Sequence, residues 1–367
     1  MSKIKLLIIE DSEDAIKNYE ETIKRINRTS EDYKYYFAKN LEEANDYIEY
    51  FKLDSAIVDL NLSGEESDLS NNDGNAVIDG LISNFRIPIF VVTGEPQKLD
   101  SKFDNNNLVS LIRRGDKTTH EILSSIKDNY NSPTIQYFSR NGFLETKIND
   151  FYWTNLQETL NSWNAVSEEH PSDINKILSR HTVSCLNEQF YVSGNIGKFD
   201  KFHNGEMYII PPIKIHYHTG DIIQKDDELF IILNPACDVV NINKLEYYLL
   251  VKIIKIENIY EIKYKSTSGK ESYFDSNLRK GNKTDRYHYL PKFSKIDSEY
   301  VIDFQNIKTV NIGSISNPTN GQYINERELI IKRDYKRIAS ISSPFLKDII
   351  SRFSLFYSRQ GQPNLLN

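Results

Sequence analysis

Short apolar runs alternate with stretches of helical periodicity along the first 130 residues of the chain. The runs predict five strands, at Lys5–Ile9, Tyr35–Ala38, Ser55–Leu60, Ile87–Val92 and Leu108–Ile112. The segments between them predict helices over 13–28, Leu41–Phe51, Ala76–Asn84 and Thr119–Tyr130, with a weak helical pattern before the fifth strand. Continuous apolar runs are typical of parallel strands that helices cover on both faces. Residues 1–130 therefore predict an α/β unit with a doubly wound, five-stranded parallel sheet.

A helical region follows the boundary that Asn131-Ser132-Pro133 indicates. Apolar residues keep a helical spacing across 131–189, and Pro171 is expected to start the second helix of this region. We interpret 131–189 as a helical linker or stalk. A dimerisation stalk that forms a homodimer, or a part of the next domain, are the alternatives.

The pattern changes to a period of two from about residue 190. Residues 190–367 predict a mainly β, barrel-like domain that ends in an amphipathic helix at Phe345–Tyr357. The predicted strands are Tyr208–Ile210, Leu229–Leu233, Tyr247–Ile256, Ile259–Lys265, Tyr287–Leu290, Tyr300–Phe304, Ile307–Ile312 and Glu328–Lys332.

The composition indicates the cellular compartment of the protein. Of 367 residues, 39% are hydrophobic, which is enough for buried cores, yet no run approaches the roughly 18 apolar residues of a membrane helix. The start of the chain turns acidic after a few apolar residues, so we expect no signal peptide. The two cysteines, Cys185 and Cys237, fit a reducing compartment. We therefore expect a cytoplasmic protein without a membrane partner.

The net charge differs between the first 130 residues and the rest of the chain. Residues 1–130 hold 16 Lys and Arg against 25 Asp and Glu, whereas residues 131–367 hold 29 against 27. The acidic first part is poorly suited to bind a phosphate backbone, and the remainder could do so only through local basic patches.

Acidic side chains coincide with the predicted strand ends of the first domain. Glu10 and Asp11 follow the first strand, Asp59 ends the third and Thr93 follows the fourth. The carboxyl ends of parallel strands meet at one edge of a sheet, where doubly wound folds bind ligands. Clustered carboxylates repel one another unless a cation lies between them, and hard oxygen ligands suit Mg²⁺. Such a site also prepares one carboxylate for attack on phosphorus. A merely solvated acidic rim is the alternative.

These positions resemble the receiver domain of response regulators in two-component signalling. The matching motifs are LLIIEDSEDA, SAIVDLNLSG and IPIFVVTGE, in that order, within residues 1–130. The resemblance implies that Glu10 and Asp11 bind Mg²⁺ and that Asp59 is the phosphoacceptor. It also implies that the carbonyl of Asn61 completes the metal shell and that Thr93 moves to the phosphoryl group. A sensor histidine kinase or a small phosphodonor would be the partner.

Three features depart from the receiver pattern. Asp73-Gly74 comes about seven residues late, so the loop after Asp59 carries an insertion, and the residue after Thr93 is Gly94. The lysine expected at the end of the fifth strand is displaced to Lys117, and Arg113 and Arg114 stand at the strand end. Either Lys117 reaches back or an arginine replaces it. A receiver fold that is never phosphorylated is a further alternative.

Two motifs in the second domain carry candidate chemistry. His216-Tyr217-His218 would point both imidazoles to one face if it lay on a strand, as a metal site requires. Cys237-Asp238 could supply a nucleophile and an orienting carboxylate if a histidine were close. Exposed histidines before a turn and a packed cysteine are the favoured interpretations.

The second domain also carries a faint resemblance and two basic clusters. TGDII, LFIILNPACD and YYLLVKIIKIE are similar to the SH3-like barrel of PemK/MazF-type toxins, although the residues that carry ribonuclease activity there do not transfer. The first cluster combines Arg279, Lys280, Lys283 and Arg286 with Tyr287 and Tyr289, a mixture that suits single-stranded nucleic acid; the second is Lys332, Arg333, Lys336 and Arg337. Ordinary solvated surfaces are the favoured interpretation, and no helix-turn-helix pattern is present in the sequence.

The sequence thus predicts a response regulator whose phosphorylation at Asp59 controls an atypical β-rich output domain. One alternative is a nuclease or hydrolase that the receiver gates through His218, Cys237 and Asp238. Another is a phosphoryl sink or an adaptor whose second domain binds nucleic acid or protein.

Overall fold

The computed structural model describes residues 3–62, 73–140, 142–191, 201–240, 245–280, 283–311 and 334–359. The chain divides into two compact units, Met1–Gly197 and Lys198–Asn367. None of the helices in these ranges is long and apolar enough to cross a membrane.

A five-stranded parallel sheet forms the centre of the first unit. Its strands lie in the order β2-β1-β3-β4-β5, which is the flavodoxin-like doubly wound order. The predicted α/β fold is therefore confirmed. The strands are β1 (Ile4–Ile9), β2 (Tyr33–Ala38), β3 (Ser55–Val58), β4 (Ile89–Thr93) and β5 (Val109–Arg113), and the helices that cover them are α1 (Glu13–Asn27), α2 (Leu41–Tyr50), α3 (Asp73–Asn84) and α4 (Thr119–Tyr130).

Strand β1 shows why these sequences form buried strands. Leu7 and Ile9 pack on one face of the sheet with α2 and α3, and Leu6 and Ile8 pack on the other with α1 and α4. All four side chains are fully buried, and each contributes about 1.5–3 kcal/mol to folding. A strand with helices on both sides needs apolar residues at every position, which explains the continuous run.

Side-chain caps fix where the helices begin. The Ser12 hydroxyl accepts a hydrogen bond from the Ala15 amide and starts α1 directly after the acidic pair. Thr118 and Glu121 form a capping box that starts α4. The end of β1 and the start of α1 are therefore separated only by the residues that carry the candidate chemistry.

The connection between β4 and β5 holds two short 3₁₀ turns, Pro96–Lys98 and Ser101–Phe103. The weak helical pattern there therefore forms no α-helix, because Pro96 and a run of asparagines interrupt the apolar spacing. Asn75 of α3 fixes this connection, since its amide donates to the Lys98 carbonyl at 2.9 Å and accepts from the Asp100 amide at 3.0 Å.

Helix α3 begins at Asp73, three residues before the predicted start, and residues 63–72, in the loop after Asp59, lie outside the described residues. The other boundaries of the first five strands and of α1, α2 and α4 are close to the predicted ones.

The helical region after α4 belongs to the first compact unit. It contains α5 (Pro133–Phe138), α6 (Phe143–Phe151), α7 (Leu160–Glu169) and α8 (Ile174–Tyr191). Pro171 lies in the turn before α8 rather than in its first turn. The assignment of 131–189 as a separate linker stays a prediction.

A seven-stranded antiparallel sheet forms the centre of the second unit, in the order β10-β11-β9-β8-β7-β12-β6. The strands are β6 (Tyr208–Ile209), β7 (Asp221–Lys225), β8 (Glu228–Ile232), β9 (Tyr247–Lys255), β10 (Tyr287–Leu290), β11 (Tyr300–Asn311) and β12 (Lys336–Ile341). Helices α9 (Ala236–Val240), α10 (Thr267–Phe274) and α11 (Ser343–Ser358) complete the unit. The predicted mainly β domain with a C-terminal helix is confirmed.

The sheet curls so that its two edges approach each other. Tyr208 of the edge strand β6 donates a hydrogen bond of 2.7 Å to the carbonyl of Pro291, which follows the opposite edge strand β10. Ile349 of α11 lies in the apolar core on one face, with Ile222, Ile302 and Phe304. The unit is therefore barrel-like, with one helix packed against its core.

Several predicted strands of the second unit are wrong or incomplete. The strand predicted at Ile259–Lys265 is a 3₁₀ turn at Tyr260–Ile262, because Ile259 and Ile262 are buried three residues apart while Tyr260 is exposed. The two strands predicted between Tyr300 and Ile312 are the single strand β11, whose register is irregular between Ile302 and Ile307. The predicted strand Glu328–Lys332 lies outside the described residues.

Candidate metal centre

Three carboxylates meet at the carboxyl edge of the parallel sheet. Glu10 follows β1 and Asp59 follows β3, and these strands are hydrogen-bonded neighbours with Ile9 opposite Val58. Oxygens of Glu10, Asp11 and Asp59 lie within 4.8 Å of one another. Glu10 and Asp59 are 3% and 7% exposed, so both carboxylates are largely removed from water.

Arg114 neutralises part of this charge. Its Nη2 donates to Oε2 of Glu10 at 2.8 Å and to Oδ2 of Asp59 at 2.7 Å. The backbone of Arg114 extends the pairing of β4 with β5, because its amide donates to the Thr93 carbonyl at 2.8 Å. The sheet itself therefore places the guanidinium over the carboxylates.

Burial and mutual repulsion disfavour the ionised acids. Burial, followed by repulsion from Asp59, raises the pKa of Glu10 to about 7, although Arg114 opposes the shift. Burial also raises the pKa of Asp59, again against the effect of Arg114. Burial lowers the pKa of Arg114, but Glu10 and Asp59 outweigh it and raise the pKa above its ordinary value. One guanidinium is thus insufficient to neutralise the cluster.

The donor set fits Mg²⁺. Oδ1 of Asp59 is buried, and no donor among the described residues forms a hydrogen bond with it. A buried carboxylate oxygen without a donor is unfavourable unless a cation or a ligand satisfies it. Mg²⁺ takes one or two carboxylates together with carbonyl or water oxygens, which Glu10, Asp11, Asp59 and the Asn61 carbonyl could supply.

A cleft of about 620 Å³ opens beside these carboxylates, and Asn61, Thr93 and Gly94 line it. Thr93 is 1% exposed, and its hydroxyl accepts a hydrogen bond of 3.2 Å from the Glu95 amide. A Cβ at Gly94 would meet nothing within 4 Å, so the space beside Thr93 is open. The cleft could admit a phosphoryl group next to Asp59.

The three basic residues that the sequence left as alternatives lie in different places. Arg114 reaches the carboxylates, whereas Arg113 ends β5 with an exposed side chain. Lys117 is exposed and lines a neighbouring cleft between α1 and α4, and the ion pairs of the described residues include none between Lys117 and the three acids.

Gly74 explains how α3 packs against the backbone of the candidate acceptor. A Cβ at this position would lie 2.5 Å from the Leu60 Cα and 2.7 Å from the Asp59 carbonyl oxygen. Only glycine permits this approach. The late Asp73-Gly74 pair therefore starts α3 against Asp59 despite the insertion before it.

Among the described residues, no group spaced to hold a metal includes the candidate residues of the second unit. His216 and His218 lie in the loop before β7, not on a strand, and the Nδ1 of His218 lies 2.8 Å from the His216 carbonyl oxygen. Cys237 is exposed at the start of α9, with its Sγ 3.7 Å from Oδ1 of Asp238. Within the described ranges, the only group of three or more His, Cys, Asp or Glu residues spaced to hold a metal is the one at Glu10, Asp11 and Asp59.

Sequence reasoning missed a buried polar network beside this loop. Asp221 is 1% exposed and accepts hydrogen bonds from the His218 amide at 2.7 Å, from Ser340 Oγ at 2.6 Å and from Arg337 Nη1 at 3.1 Å. Arg337 also donates to the His216 carbonyl at 2.6 Å. Asp221 and Arg337 are far apart in sequence, so only the pairing of β7 with β12 brings them together.

The described arginines of the predicted basic clusters are already paired. Arg279 binds Glu299, with Nε–Oε1 at 2.8 Å, and Arg286 binds Asp303 through two hydrogen bonds of 2.7 Å. Tyr287 is 1% exposed and cannot stack on a base. Binding of nucleic acid at these clusters would therefore depend on exposed lysines such as Lys280, Lys283 and Lys336, while Lys332 and Arg333 lie outside the described residues.

Comparisons with known proteins match part of the chain to solved structures. No protein-family model and no curated protein sequence matches the chain. Solved receiver domains match its N-terminal part at TM-scores below 0.3. The signal receiver domain of a putative Luxo repressor protein from Vibrio parahaemolyticus is 18% identical, with 35% of this chain and 91% of that chain covered and a TM-score of 0.29. The CheY-like receiver domain protein from Methanospirillum hungatei JF-1 is 17% identical, with 35% and 95% covered and a TM-score of 0.29.

A third structure, the receiver domain of the sensor histidine kinase PA1611 from Pseudomonas aeruginosa PAO1, has a magnesium ion coordinated in its active-site cleft. It is 15% identical, covers 36% of this chain and 100% of that chain, and has a TM-score of 0.27. The five-stranded parallel sheet of the first unit fits the predicted resemblance of this part to receiver domains. These matches do not extend into the second unit, where the resemblance to PemK/MazF-type barrels stays a prediction.

Proposed function

We propose that this chain is a response regulator in which Asp59 accepts a phosphoryl group and thereby controls the β-rich second unit. The observation that carries the proposal is the buried Oδ1 of Asp59. It forms no hydrogen bond among the described residues and lies in a cleft with Glu10 and Asp11. Such an oxygen is poised to act as a nucleophile toward an anionic ligand that arrives with a cation.

The chemistry follows from these oxygens. Glu10, Asp11, Asp59 and the Asn61 carbonyl would hold Mg²⁺, which when bound supplies positive charge to the oxygens of the transferring phosphoryl group. Oδ1 of Asp59 attacks phosphorus, and the bond from phosphorus to the donor breaks as the donor takes its electron pair. The product is an acyl phosphate on Asp59. A phosphohistidine of a sensor kinase or a small acyl phosphate is a suitable donor.

Thr93 would couple the phosphorylation of Asp59 to a conformational change. Its hydroxyl now accepts from the Glu95 amide, and the same oxygen can donate a hydrogen to a phosphoryl oxygen on Asp59. A shift of Thr93 toward that group would move Glu95 and the 3₁₀ turns that follow it. This change would alter the surface between β4 and β5 and, through it, docking or dimerisation that involves the helices of 131–189.

The second unit is the part whose behaviour phosphorylation would change. A hydrolase gated through His218, Cys237 and Asp238 requires these side chains to meet, whereas the His218 imidazole contacts the His216 carbonyl and the Cys237 thiol contacts Asp238. A binding output for protein or nucleic acid therefore has more support than a catalytic one.

The proposal is tested by the intact mass of the full chain after incubation with acetyl phosphate, with and without Mg²⁺. We expect the mass of one phosphoryl group to appear only with Mg²⁺, and to be lost in Asp59→Asn. Asp54→Asn is the matched control, because Asp54 accepts from the Lys5 amide, before β3 begins. This variant should be modified like the wild type. Equal modification of Asp59→Asn, or none of the wild type, would overturn the proposal.

A further inference from the structure

We infer that Arg114 is an internal cation that occupies carboxylate oxygens of the metal site, and that Mg²⁺ must displace it to bind. This inference rests on the proposed function, because it assumes that Glu10 and Asp59 hold Mg²⁺. It adds that the affinity of the site for the metal is set by an arginine of the chain itself.

The contacts of a single nitrogen carry the inference. Nη2 of Arg114 lies 2.8 Å from Oε2 of Glu10 and 2.7 Å from Oδ2 of Asp59. One positively charged group therefore bridges the same two residues that a metal ion would bridge. Mg²⁺ binds oxygens at about 2.1 Å, so it cannot share both oxygens with the guanidinium without a contact between like charges.

A second cleft beside the metal site could accept the displaced side chain of Arg114. This side chain is 43% exposed and lines the second cleft, of about 650 Å³ between α1 and α4, which Glu10 also lines. Asp14 and Asn18 of α1 line this second cleft and offer oxygens to a guanidinium. The hydrogen bond from the Arg114 amide to Thr93 fixes the backbone, so rotation of the side chain is sufficient for the exchange.

The exchange has an energetic reason. Glu10 and Asp59 are almost fully buried, and without a cation their charges would be left unpaired in a poorly solvated site. In the metal-free protein, Arg114 neutralises part of the charge of the two carboxylates, and the divalent ion displaces it on binding. The arginine thereby stabilises the metal-free site and, at the same time, weakens metal binding.

The test is a calorimetric titration of the full chain with Mg²⁺, comparing Arg114→Gln with Arg113→Gln. Both variants lose one positive charge from adjacent residues, but the exposed Arg113 does not contact the carboxylates. We expect Arg114→Gln to bind Mg²⁺ about tenfold more tightly than the wild type, whereas Arg113→Gln should differ by no more than about twofold because exposed charges interact weakly. Without Mg²⁺, Arg114→Gln should melt below Arg113→Gln, and saturating Mg²⁺ should close the gap.

The wild-type protein gives an independent readout if Arg114→Gln does not fold. The guanidinium NMR resonances of Arg114 in the wild type should move toward those of free arginine as Mg²⁺ is added. Unchanged resonances, or an Arg114→Gln affinity equal to or weaker than that of Arg113→Gln, would overturn the inference. If these results occur while Asp59 is still phosphorylated, only the role of Arg114 fails. If the wild type neither binds Mg²⁺ nor is modified at Asp59, the proposed function fails with it.

Discussion

Glu10 shows how a single buried carboxylate couples the metal to stability. Its pKa is about 7 in the folded protein, against an ordinary value of 4.5. As pH rises between these values, the unfolded chain loses this proton before the folded protein does, so the unfolded state binds fewer protons. The free energy of unfolding of the metal-free protein should therefore fall across this window, by up to about 3 kcal/mol for this group.

We expect Mg²⁺ to reverse this loss, because the metal binds the ionised carboxylate. Thermal melts from about pH 5 to about pH 8 should diverge, with the protein in chelator losing stability relative to the protein in Mg²⁺ as pH rises. Glu10→Gln removes the titrating group, so its melting curves should diverge less. Parallel curves for the wild type in chelator and in Mg²⁺ would contradict a metal site at Glu10.

Gly74 gives a second residue-level test, on the packing behind the acceptor. A Cβ in Gly74→Ala would lie 2.5 Å from the Leu60 Cα, so α3 or the backbone of Asp59 and Leu60 must shift. We expect a loss of about 2 kcal/mol in the free energy of unfolding, together with slower phosphorylation of Asp59, measured by urea unfolding and by intact mass.

Gly80, in the same helix, is the matched control for Gly74. Its Cβ would meet Ile48 Cδ1 at 3.4 Å, which is an ordinary contact. Gly80→Ala should therefore stabilise the protein by up to about 1 kcal/mol, since alanine favours a helix. If Gly74→Ala changes the free energy of unfolding and the phosphorylation rate no more than Gly80→Ala does, α3 does not approach the backbone of Asp59 closely.

Whether a strand could be predicted from the sequence depends on what covers it. The five parallel strands were predictable because helices on both faces demand continuous apolar runs, as in β1. The strand β12 was missed because Lys336 and Arg337 made it look like a basic surface, although Ile338 and Ile341 are buried in the core. The 3₁₀ turn at Tyr260–Ile262 was mistaken for a strand because its β-branched and aromatic residues have a high strand propensity that packing overrides.

The loop before β7 provides a test at the level of elements. Asp221 ties this loop and β12 to β7 through the His218 amide, Ser340 and Arg337. Asp221→Ala would leave the guanidinium of Arg337, which is 16% exposed, without its carboxylate. We expect a loss of about 3 kcal/mol in the free energy of unfolding, as for other broken buried pairs.

A surface pair in the same unit is the control for Asp221. Asp334 binds Lys225 at 2.9 Å, with both side chains more than a third exposed. Asp334→Ala should change the free energy of unfolding by less than about 1 kcal/mol. Equal effects of the two substitutions in urea unfolding would show that the Asp221 network does not hold the loop and the strands together.

Across the whole molecule, the sequence predicts a functional site where parallel strands end at one edge of a sheet. It does not predict which charged residues that are distant in sequence form ion pairs. Glu10, Asp11 and Asp59 could be placed together because parallel strands end at one edge of the sheet. The identity of the basic partner stayed open, since the turn after β5 decides which side chain reaches back, and Arg114 does so. In the second unit, pairs such as Arg286–Asp303 join residues whose proximity no local pattern encodes.

In the proposed reaction, an oxygen of Asp59, beside a bound cation, becomes covalently attached to phosphorus. The most direct measurement is borohydride reduction of the full chain after acetyl phosphate treatment, followed by peptide mass spectrometry, because reduction converts an aspartyl phosphate to homoserine. We expect homoserine at position 59, at a yield that depends on Mg²⁺. Homoserine at another aspartate, or a yield at position 59 that is unchanged when Mg²⁺ is withheld, would contradict it.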